Sequence, residues 1–221
     1  MKVVIIVGAR PQFIKLAPLY LEFREQGINP LVIHTGQHYD AALDAELFDV
    51  LRLPAPDYRL DGGFQMEQAV ARLTALLKSL RPGCCIVFGD TDSTLAAARA
   101  AKAADCLLAH VEAGMRSGNP DMPEERNRIL TDQLSQLLFV PTAREEETLQ
   151  REGLSGHITI TGDIMLDAFL RYTPAARPPA MPLPDDFLLA TIHRNFNTDR
   201  PKRLRSILEQ LNAVHHHLMP V

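Results

Sequence analysis

Short, continuously apolar runs alternate along this chain with longer segments of helical periodicity, which restricts it to few architectures. Because the runs are apolar throughout, they are typical of parallel strands covered on both faces of a sheet. The predicted strands are residues 2–7, 30–34, 84–88, 106–110, 137–140 and 158–161. Residues 12–27, 65–80 and 93–105 predict amphipathic helices, with Gly27 as a C-terminal stop and Ser93 as an N-cap. The alternation predicts an α/β, doubly wound, Rossmann-like parallel sheet.

A proline-rich segment predicts a domain boundary. Residues 172–186 contain five prolines and can continue neither a helix nor a strand, so we expect a linker between residues 1–171 and 187–221. The stretch after it begins with an apolar run, "FLLAT", that predicts a strand, followed by a helix. One strand and one helix cannot bury a core. We therefore expect only the start of a second domain here, in a natural protein that is longer or in a chain inactive alone.

Composition and charge exclude several classes of partner. The net charge is −4 and no basic run is present, which argues against a nucleic-acid partner. No apolar stretch approaches the roughly 18 residues that span a bilayer, so no membrane partner is expected. The start, "MKVVIIVGARP", predicts a first strand rather than a secretory signal. The three cysteines are typical of buried thiols in a reducing compartment, and we expect a cytoplasmic protein.

Ligands of an open parallel sheet bind beyond the carboxyl ends of its strands, so the polar residues there carry the functional hypotheses. After the first strand, Gly8 permits a tight turn, Arg10 and Lys15 supply positive charge, and Pro11 suits a helix start. Helix-terminal N–H groups and two cations suit an anionic ligand, although an ordinary turn explains the pattern equally well. No GxGxxG fingerprint is present, which argues against a nicotinamide cofactor.

Carboxylates follow two further strands. Asp90 comes directly after the strand at 84–88, and Glu112 occupies the matching position after the strand at 106–110. Asp92 is interpreted as a helix cap. Glu124 falls in the first turn of a predicted helix, where the helix dipole favours its charge, and Arg128 is its i, i+4 partner; Glu125 is assigned to solvent.

Seven ordered motifs that span nearly the whole chain resemble those of the non-hydrolysing UDP-N-acetylglucosamine 2-epimerases. They are "GARPQFIKLAP", "HTGQHYD", "GDTDSTLAAA", "HVEAGMRS", "MPEERNRILTDQLSQLLFVPT", "TGDIMLDA" and "ATIHRNFNTD". The resemblance implies an enzyme of the GT-B type, in which two Rossmann-like halves bind a nucleotide sugar between them. It further implies a cytoplasmic homodimer that interconverts UDP-GlcNAc and UDP-ManNAc, a precursor of cell-surface polysaccharide.

The resemblance also implies roles for individual residues. The catalytic positions are Asp90, Glu112, Glu124 and His193, and the substrate-binding positions are Arg10, Lys15 and Arg128. Gln37 and His38 lie where some bacterial members of the family bind a second, regulatory UDP-GlcNAc. Neither a metal nor another cofactor is implied.

The chemistry that the resemblance implies explains the choice of residue types. The C2 proton is not adjacent to a carbonyl group, so the family eliminates UDP across C1–C2 and adds it back with hydrogen on the other face. This requires a base, an acid and cations that retain the diphosphate.

Two departures from the family pattern keep alternatives open. Phe196 of "HRNFN" stands where the family commonly has glutamate, and this chain is expected to lack most of the family's nucleotide-binding half. A GT-B glycosyltransferase or a hydrolysing relative shares the fold, although the "MPEERNR" run argues against the latter. An inactive truncated domain is the third alternative.

Overall fold

The computed structural model describes residues 1–37, 41–60, 62–192 and 194–220, which divide into two compact units, Met1–Pro174 and Ala175–Val221. The first unit contains a parallel sheet of seven strands. These are β1 (Val3–Val7), β2 (Leu31–His34), β3 (Tyr58–Arg59), β4 (Cys84–Phe88), β5 (Leu108–Val111), β6 (Leu137–Val140) and β7 (His157–Ile160). Their order across the sheet is β3-β2-β1-β4-β5-β6-β7. Chain order therefore reverses between β1 and β4, at the point where such sheets bind ligands.

Helices connect the strands and cover both faces of the sheet. They are α1 (Arg10–Glu25), α2 (Ala41–Val50), α3 (Met66–Leu80), α4 (Asp92–Ala103), α5 (Pro123–Leu134), α6 (Ala143–Arg151) and α7 (Ile164–Tyr172). Alternate residues of β1 enter two different apolar clusters: Val4 and Ile6 join the cluster that contains α3 and α4, while Ile5 joins that of α1, α2 and α7. Burial on both sides explains why the strands are apolar at every position.

The six strands predicted for this unit are confirmed, with small shifts at their ends. Gly27 is confirmed as the stop of α1, because the helix ends at Glu25 and Gly27 adopts the left-handed conformation, with φ of 74°. The predicted N-cap at Ser93 is wrong. Helix α4 begins at Asp92, and the side chain of Thr91 accepts the capping hydrogen bond from the Thr94 N–H. Strand β3 and helices α2, α6 and α7 were not predicted.

The second unit contains a short helix α8 (Asn195–Thr198) and a longer helix α9 (Pro201–His217). The strand predicted at residue 187 is not formed, since residues 187–192 have no regular secondary structure. A strand requires a neighbour along its length, whereas this segment has a single backbone hydrogen bond among the described residues, from Leu188 N–H to Pro220 O at 2.7 Å. Apolar composition alone therefore overestimated the order of this segment. Over the described parts of both units, no helix is long and apolar enough to cross a membrane.

Candidate active site

The turn between β1 and α1 is closed by a buried glutamine. Gln12 Oε1 accepts hydrogen bonds from the N–H groups of Gly8 and Ala9, at 2.8 and 3.1 Å. Its amide nitrogen donates to Phe88 O at the end of β4 and to Thr94 Oγ1 in α4. The N–H groups of Gly8 and Ala9, which precede α1, are thus already occupied. The anion-binding interpretation of this turn therefore depends on its two cationic side chains.

Lys15 and Glu112 form an ion pair between α1 and the end of β5. The Lys15 ammonium group contacts Glu112 Oε2, and both side chains are largely buried, with exposed fractions of 15% and 12%. Glu112 adopts φ of 67°, which is unusual for a residue with a side chain and indicates a conformation that its surroundings impose. Gly89 lies opposite, where an added Cβ would be 3.1 Å from Lys15 Nζ and 3.3 Å from Glu112 Oε2. Glycine at this position thus leaves room for the pair.

Arg128 of α5 joins two carboxylates. One terminal nitrogen contacts Asp90 Oδ2, beyond the end of β4, and the other donates to Glu125 Oε2 at 3.1 Å. Asp90 is the more accessible partner, with 30% of its side chain exposed against 6% for Glu125. The predicted pairing of Arg128 with Glu124 is wrong, because the guanidinium group turns to Glu125 on the inner side of the helix.

The two neighbouring glutamates of α5 have different environments. Glu125, assigned from the sequence to solvent, is buried and accepts hydrogen bonds from Ser117 and Gly118 as well as from Arg128. Burial alone would raise the pKa of Glu125, but the donors of Ser117 and Gly118, together with Arg128, hold it below its usual value. Glu124 is half-buried and, among the residues that the structure describes, has no hydrogen-bond or ion-pair partner. Its carboxylate is therefore available to a ligand.

Asn127, which sequence analysis missed, fixes the segment that carries Asp90. Its side-chain amide donates to Asp90 O at 3.0 Å and to Asp92 Oδ1 at 2.9 Å. Asp92 therefore accepts from α5, and Thr91 has the capping role that was predicted for Asp92. The one signal for Asn127 in the sequence is its position on α5 between Glu124 and Arg128.

Two other predicted ligand-binding residues, Arg10 and Gln37, follow the carboxyl ends of β1 and β2. Arg10 is half-exposed, with its Nε 4.0 Å from Asp44 Oδ1. Gln37 Oε1 accepts from the N–H and the hydroxyl of Ser93, so that side chain is held at the start of α4. His38 and His193 lie outside the described residues.

A buried hydrogen-bond network lies next to the strand ends that precede Asp90 and Glu112. His110 of β5 lies with Nδ1 2.7 Å from Asp132 Oδ1 and Nε2 2.8 Å from Gly89 O. A carbonyl oxygen only accepts hydrogen bonds, so Nε2 carries a hydrogen. Asp132 Oδ2 also accepts from Gly114 N–H and pairs with Arg116, which reaches on to Glu152. These contacts fix the turns that present Asp90 and Glu112.

Two carboxylate–cation pairs lie at neighbouring strand ends, Asp90 with Arg128 beyond β4 and Glu112 with Lys15 beyond β5, and Glu124 lies one helical turn before Arg128. Asp90 and Glu112 each contact a cation, whereas Glu124 has no such partner among the described residues. Groups of one type in different environments are suited to acid and base roles in proton transfer. No cluster of histidine, cysteine or acidic residues fit to hold a metal ion occurs within the described ranges.

Comparison with known proteins identifies a family for this chain. Residues 22–221 match the UDP-N-acetylglucosamine 2-epimerase family. The chain is 41% identical over 220 residues to a UDP-N-acetylglucosamine 2-epimerase homolog of Methanococcus maripaludis, covering 94% of this chain and 61% of that protein. It is 42% identical over 231 residues to the UDP-2,3-diacetamido-2,3-dideoxy-D-glucuronate 2-epimerase of Pseudomonas aeruginosa, covering 100% of this chain and 65% of that protein.

A solved structure shows the same relationship. The UDP-GlcNAc 2-epimerase of Methanocaldococcus jannaschii, in complex with UDP-GlcNAc and UDP, superposes with a TM-score of 0.88 at 35% identity, over 98% of this chain and 63% of that one. The chain belongs to the UDP-N-acetylglucosamine 2-epimerase family. It spans less than two thirds of the length of each of these three relatives.

Proposed function

We propose that the natural protein carrying this sequence interconverts UDP-GlcNAc and UDP-ManNAc by inverting the configuration at C2 of the sugar. The observation that carries the proposal is the placement of Asp90 and Glu112 at the carboxyl ends of β4 and β5, with Glu124 in the first turn of α5, in a chain of this family. Three carboxylates beside two cations exceed what a solvated loop requires, and acid–base chemistry needs this combination.

The proposed reaction has two halves. In the first, a carboxylate removes the C2 proton, the C1–C2 double bond forms, and the C1–O bond breaks to release UDP. In the second, a carboxyl group returns a proton to the opposite face of C2 while a phosphate oxygen of UDP re-forms the bond to C1. Asp90, Glu112 and Glu124 are the candidates for these proton transfers.

Cations retain the departing diphosphate in this scheme. Arg10 lies beyond β1 and is half-exposed, so an anionic ligand can reach it. Lys15 and Arg128 are the cations that pair with Glu112 and Asp90. His193 is proposed to assist them, and Gln37 and His38 are proposed for the second, regulatory UDP-GlcNAc. A second Rossmann-like half, completing a GT-B enzyme, would supply the remaining contacts to UDP.

A homodimer in the cytoplasm is proposed as the working state. The free, buried thiols of Cys84, Cys85 and Cys106 agree with a reducing compartment. Sedimentation of the natural protein tests the dimer.

A second substrate is a specific alternative. The Pseudomonas aeruginosa relative, matched over the whole of this chain, is named for a UDP-2,3-diacetamido sugar acid. The same C2 inversion applies to that compound, because C1, C2 and the diphosphate are unchanged. Substrate choice would then depend on groups near C3 and C6.

An assay of the natural protein with each nucleotide sugar tests the proposal. In heavy water, UDP-GlcNAc should equilibrate with UDP-ManNAc, and both should acquire deuterium at C2. Turnover without deuterium at C2 contradicts the elimination route. Release of free ManNAc and UDP indicates a hydrolysing enzyme, and exclusive conversion of the diacetamido sugar acid assigns the alternative substrate.

A further inference from the structure

Glu125 accepts an unusual number of hydrogen bonds for a residue outside the proposed chemistry. Oε1 accepts from the N–H groups of Ser117 and Gly118 at 3.1 and 2.9 Å. Oε2 accepts from Ser117 N–H and Oγ, both at 2.9 Å, and from Arg128 at 3.1 Å. Both oxygens are used, and the side chain is almost wholly buried, so Glu125 itself offers nothing to a ligand.

The contacts of Glu125 fix the loop between β5 and α5. Two consecutive backbone N–H groups point at one carboxylate, an arrangement that holds an anion strongly. The loop begins at Glu112, and it returns to α5 where Glu125 and Arg128 lie one turn apart. The carboxylate thus links the proposed catalytic strand end to the helix that carries Glu124.

Glu125 also selects the partner of Arg128. The guanidinium group has two carboxylate neighbours on its own helix, Glu125 at i−3 and Glu124 at i−4, and both spacings permit an ion pair. The structure pairs it with Glu125 and, by its other terminal nitrogen, with Asp90. Two anchors restrict a planar guanidinium group far more than one. Loss of Glu125 would leave Arg128 able to turn to Glu124.

We propose that Glu125 is a positioning residue: it holds Arg128 against Asp90 and keeps Arg128 away from Glu124, so that the Glu124 carboxylate stays free for substrate. This inference rests on the proposed function, since it assigns Glu125 to the same site. Glu125 acts through Arg128 and touches no reacting atom.

Three variants of the natural protein test the role by turnover. Glu125→Gln retains the size but places an amide NH2 group among donors, so kcat should fall at least 10-fold while KM changes less than about 3-fold. Glu125→Asp retains the charge and should be at least 3-fold more active than Glu125→Gln. Glu147→Gln, on the exposed side of α6, is the matched control and should leave both constants unchanged. Equal losses in kcat for Glu125→Gln and Glu125→Asp, or none for Glu125→Gln, would overturn the proposal.

A double-mutant cycle identifies the route of the effect. In an Arg128→Lys background, where a compact ammonium group replaces the planar guanidinium group and its two terminal nitrogens, Glu125→Gln should lower kcat by less than about a further 3-fold. If the losses in kcat of the two single variants multiply in the double variant, Glu125 acts independently of Arg128, and the proposal is overturned. If Glu125→Gln does not fold, the comparison of Arg128→Lys with Glu125→Asp takes its place, and both should lower kcat with KM nearly unchanged; a loss confined to KM overturns it.

Hydrogen exchange separates this inference from the proposed function. If the unsubstituted protein converts none of the UDP sugars, the proposed function fails, but the contacts of Glu125 remain measurable by NMR. Gly118 N–H donates to Glu125 and to no other group among the described residues, and its exchange should accelerate at least 10-fold in Glu125→Gln and not in Glu147→Gln. The Arg128 side-chain N–H signals should broaden in the same variant. Unchanged exchange and sharp Arg128 signals would overturn the positioning role whatever the substrate.

Discussion

Lys15 and Glu112, 97 residues apart in sequence, form an ion pair at the junction of α1 and β5. The pair lies over Gly89, and it neutralises a carboxylate whose backbone is held at positive φ. A glutamate in this conformation is not explained by the needs of the turn, because glycine or asparagine would adopt it more easily. The turn alone therefore does not account for the carboxylate of Glu112, which agrees with the proposed role in proton transfer.

Removal of the carboxylates should affect turnover selectively. Asp90→Asn, Glu112→Gln and Glu124→Gln should each lower kcat at least about 100-fold, the usual scale for an acid or base. Asp92→Asn is the matched control, since an asparagine oxygen can still accept from Asn127, and its loss should stay below about 10-fold. Steady-state kinetics of the natural protein measures both, and a larger loss for Asp92→Asn than for Glu124→Gln would contradict the assignment.

A methyl group at position 89 should disturb the Lys15–Glu112 pair. Gly89 has φ of 61°, so alanine there is strained by about 1–2 kcal/mol, and its Cβ also meets both side chains of the pair. Gly153→Ala is the control, because Gly153 has φ of 73° and an added Cβ meets nothing within 4 Å. Denaturant titration should give comparable losses of stability, whereas kcat should fall only in Gly89→Ala. Equal activity of the two variants would show that the space over the pair is not needed.

The stability of the first unit should fall on mild acidification because of His34. Burial, followed by the charge of Arg59, lowers the pKa of His34 from 6.5 to about 4. Between these values the unfolded chain binds a proton that the native His34 does not, so the free energy of unfolding decreases as pH falls. The expected loss is about 2 kcal/mol between pH 7.5 and pH 5.

The variant His34→Asn isolates this effect. The asparagine oxygen can accept the Gly36 N–H hydrogen bond that His34 Nδ1 accepts at 2.9 Å, but it does not titrate. Denaturant titrations across the same pH range should give a shallower slope than in the unsubstituted chain. An identical slope would assign the acid sensitivity to other groups.

The three thiols should be inert in the native protein. Burial raises the pKa of Cys84 to about 11, and it also raises the pKa values of Cys85 and Cys106 above their usual range. Because the thiolate is the reactive form, labelling by a disulfide reagent at pH 8 should be at least about 100-fold slower than in denaturant. Cys84 lines an apolar cavity of about 450 Å3 that residues of β5 and β6 also line. A thiol that reacts rapidly would therefore show that the reagent enters through that cavity.

The sequence predicts the sheet well because burial on both faces leaves one pattern, apolar at every position, that few other structures share. It predicts where Asp90 and Glu112 lie, because a residue that follows a strand is located by the end of that strand, whatever the direction of its side chain. The sequence cannot distinguish Glu124 from Glu125 in this way. Both fall in the first turn of α5, where the helix dipole favours either, and a rotation of about 100° separates a buried anchor from a free carboxylate.

Contacts distant in sequence were also beyond prediction. Gln12, Asn127 and Asp132 are ordinary polar residues of helices until the chain folds and sets them against backbone groups of other loops. The strand prediction for the segment after residue 187 was wrong for the opposite reason. Its composition is that of a strand, but strands form only where a neighbour offers hydrogen bonds along their length.

The occupation of the Gly8 and Ala9 amides by Gln12 has a consequence for redesign of this scaffold. Related architectures bind pyrophosphate with free backbone amides after the first strand. A designer who wished to introduce a dinucleotide site here would therefore start by inserting glycines. That edit would fail while Gln12 keeps its place, because its oxygen competes for the same donors. Removing Gln12 would in turn unfasten the end of β4 and the start of α4, to which its nitrogen donates. A redox enzyme built on this fold would therefore need its first and fourth strand ends rebuilt together.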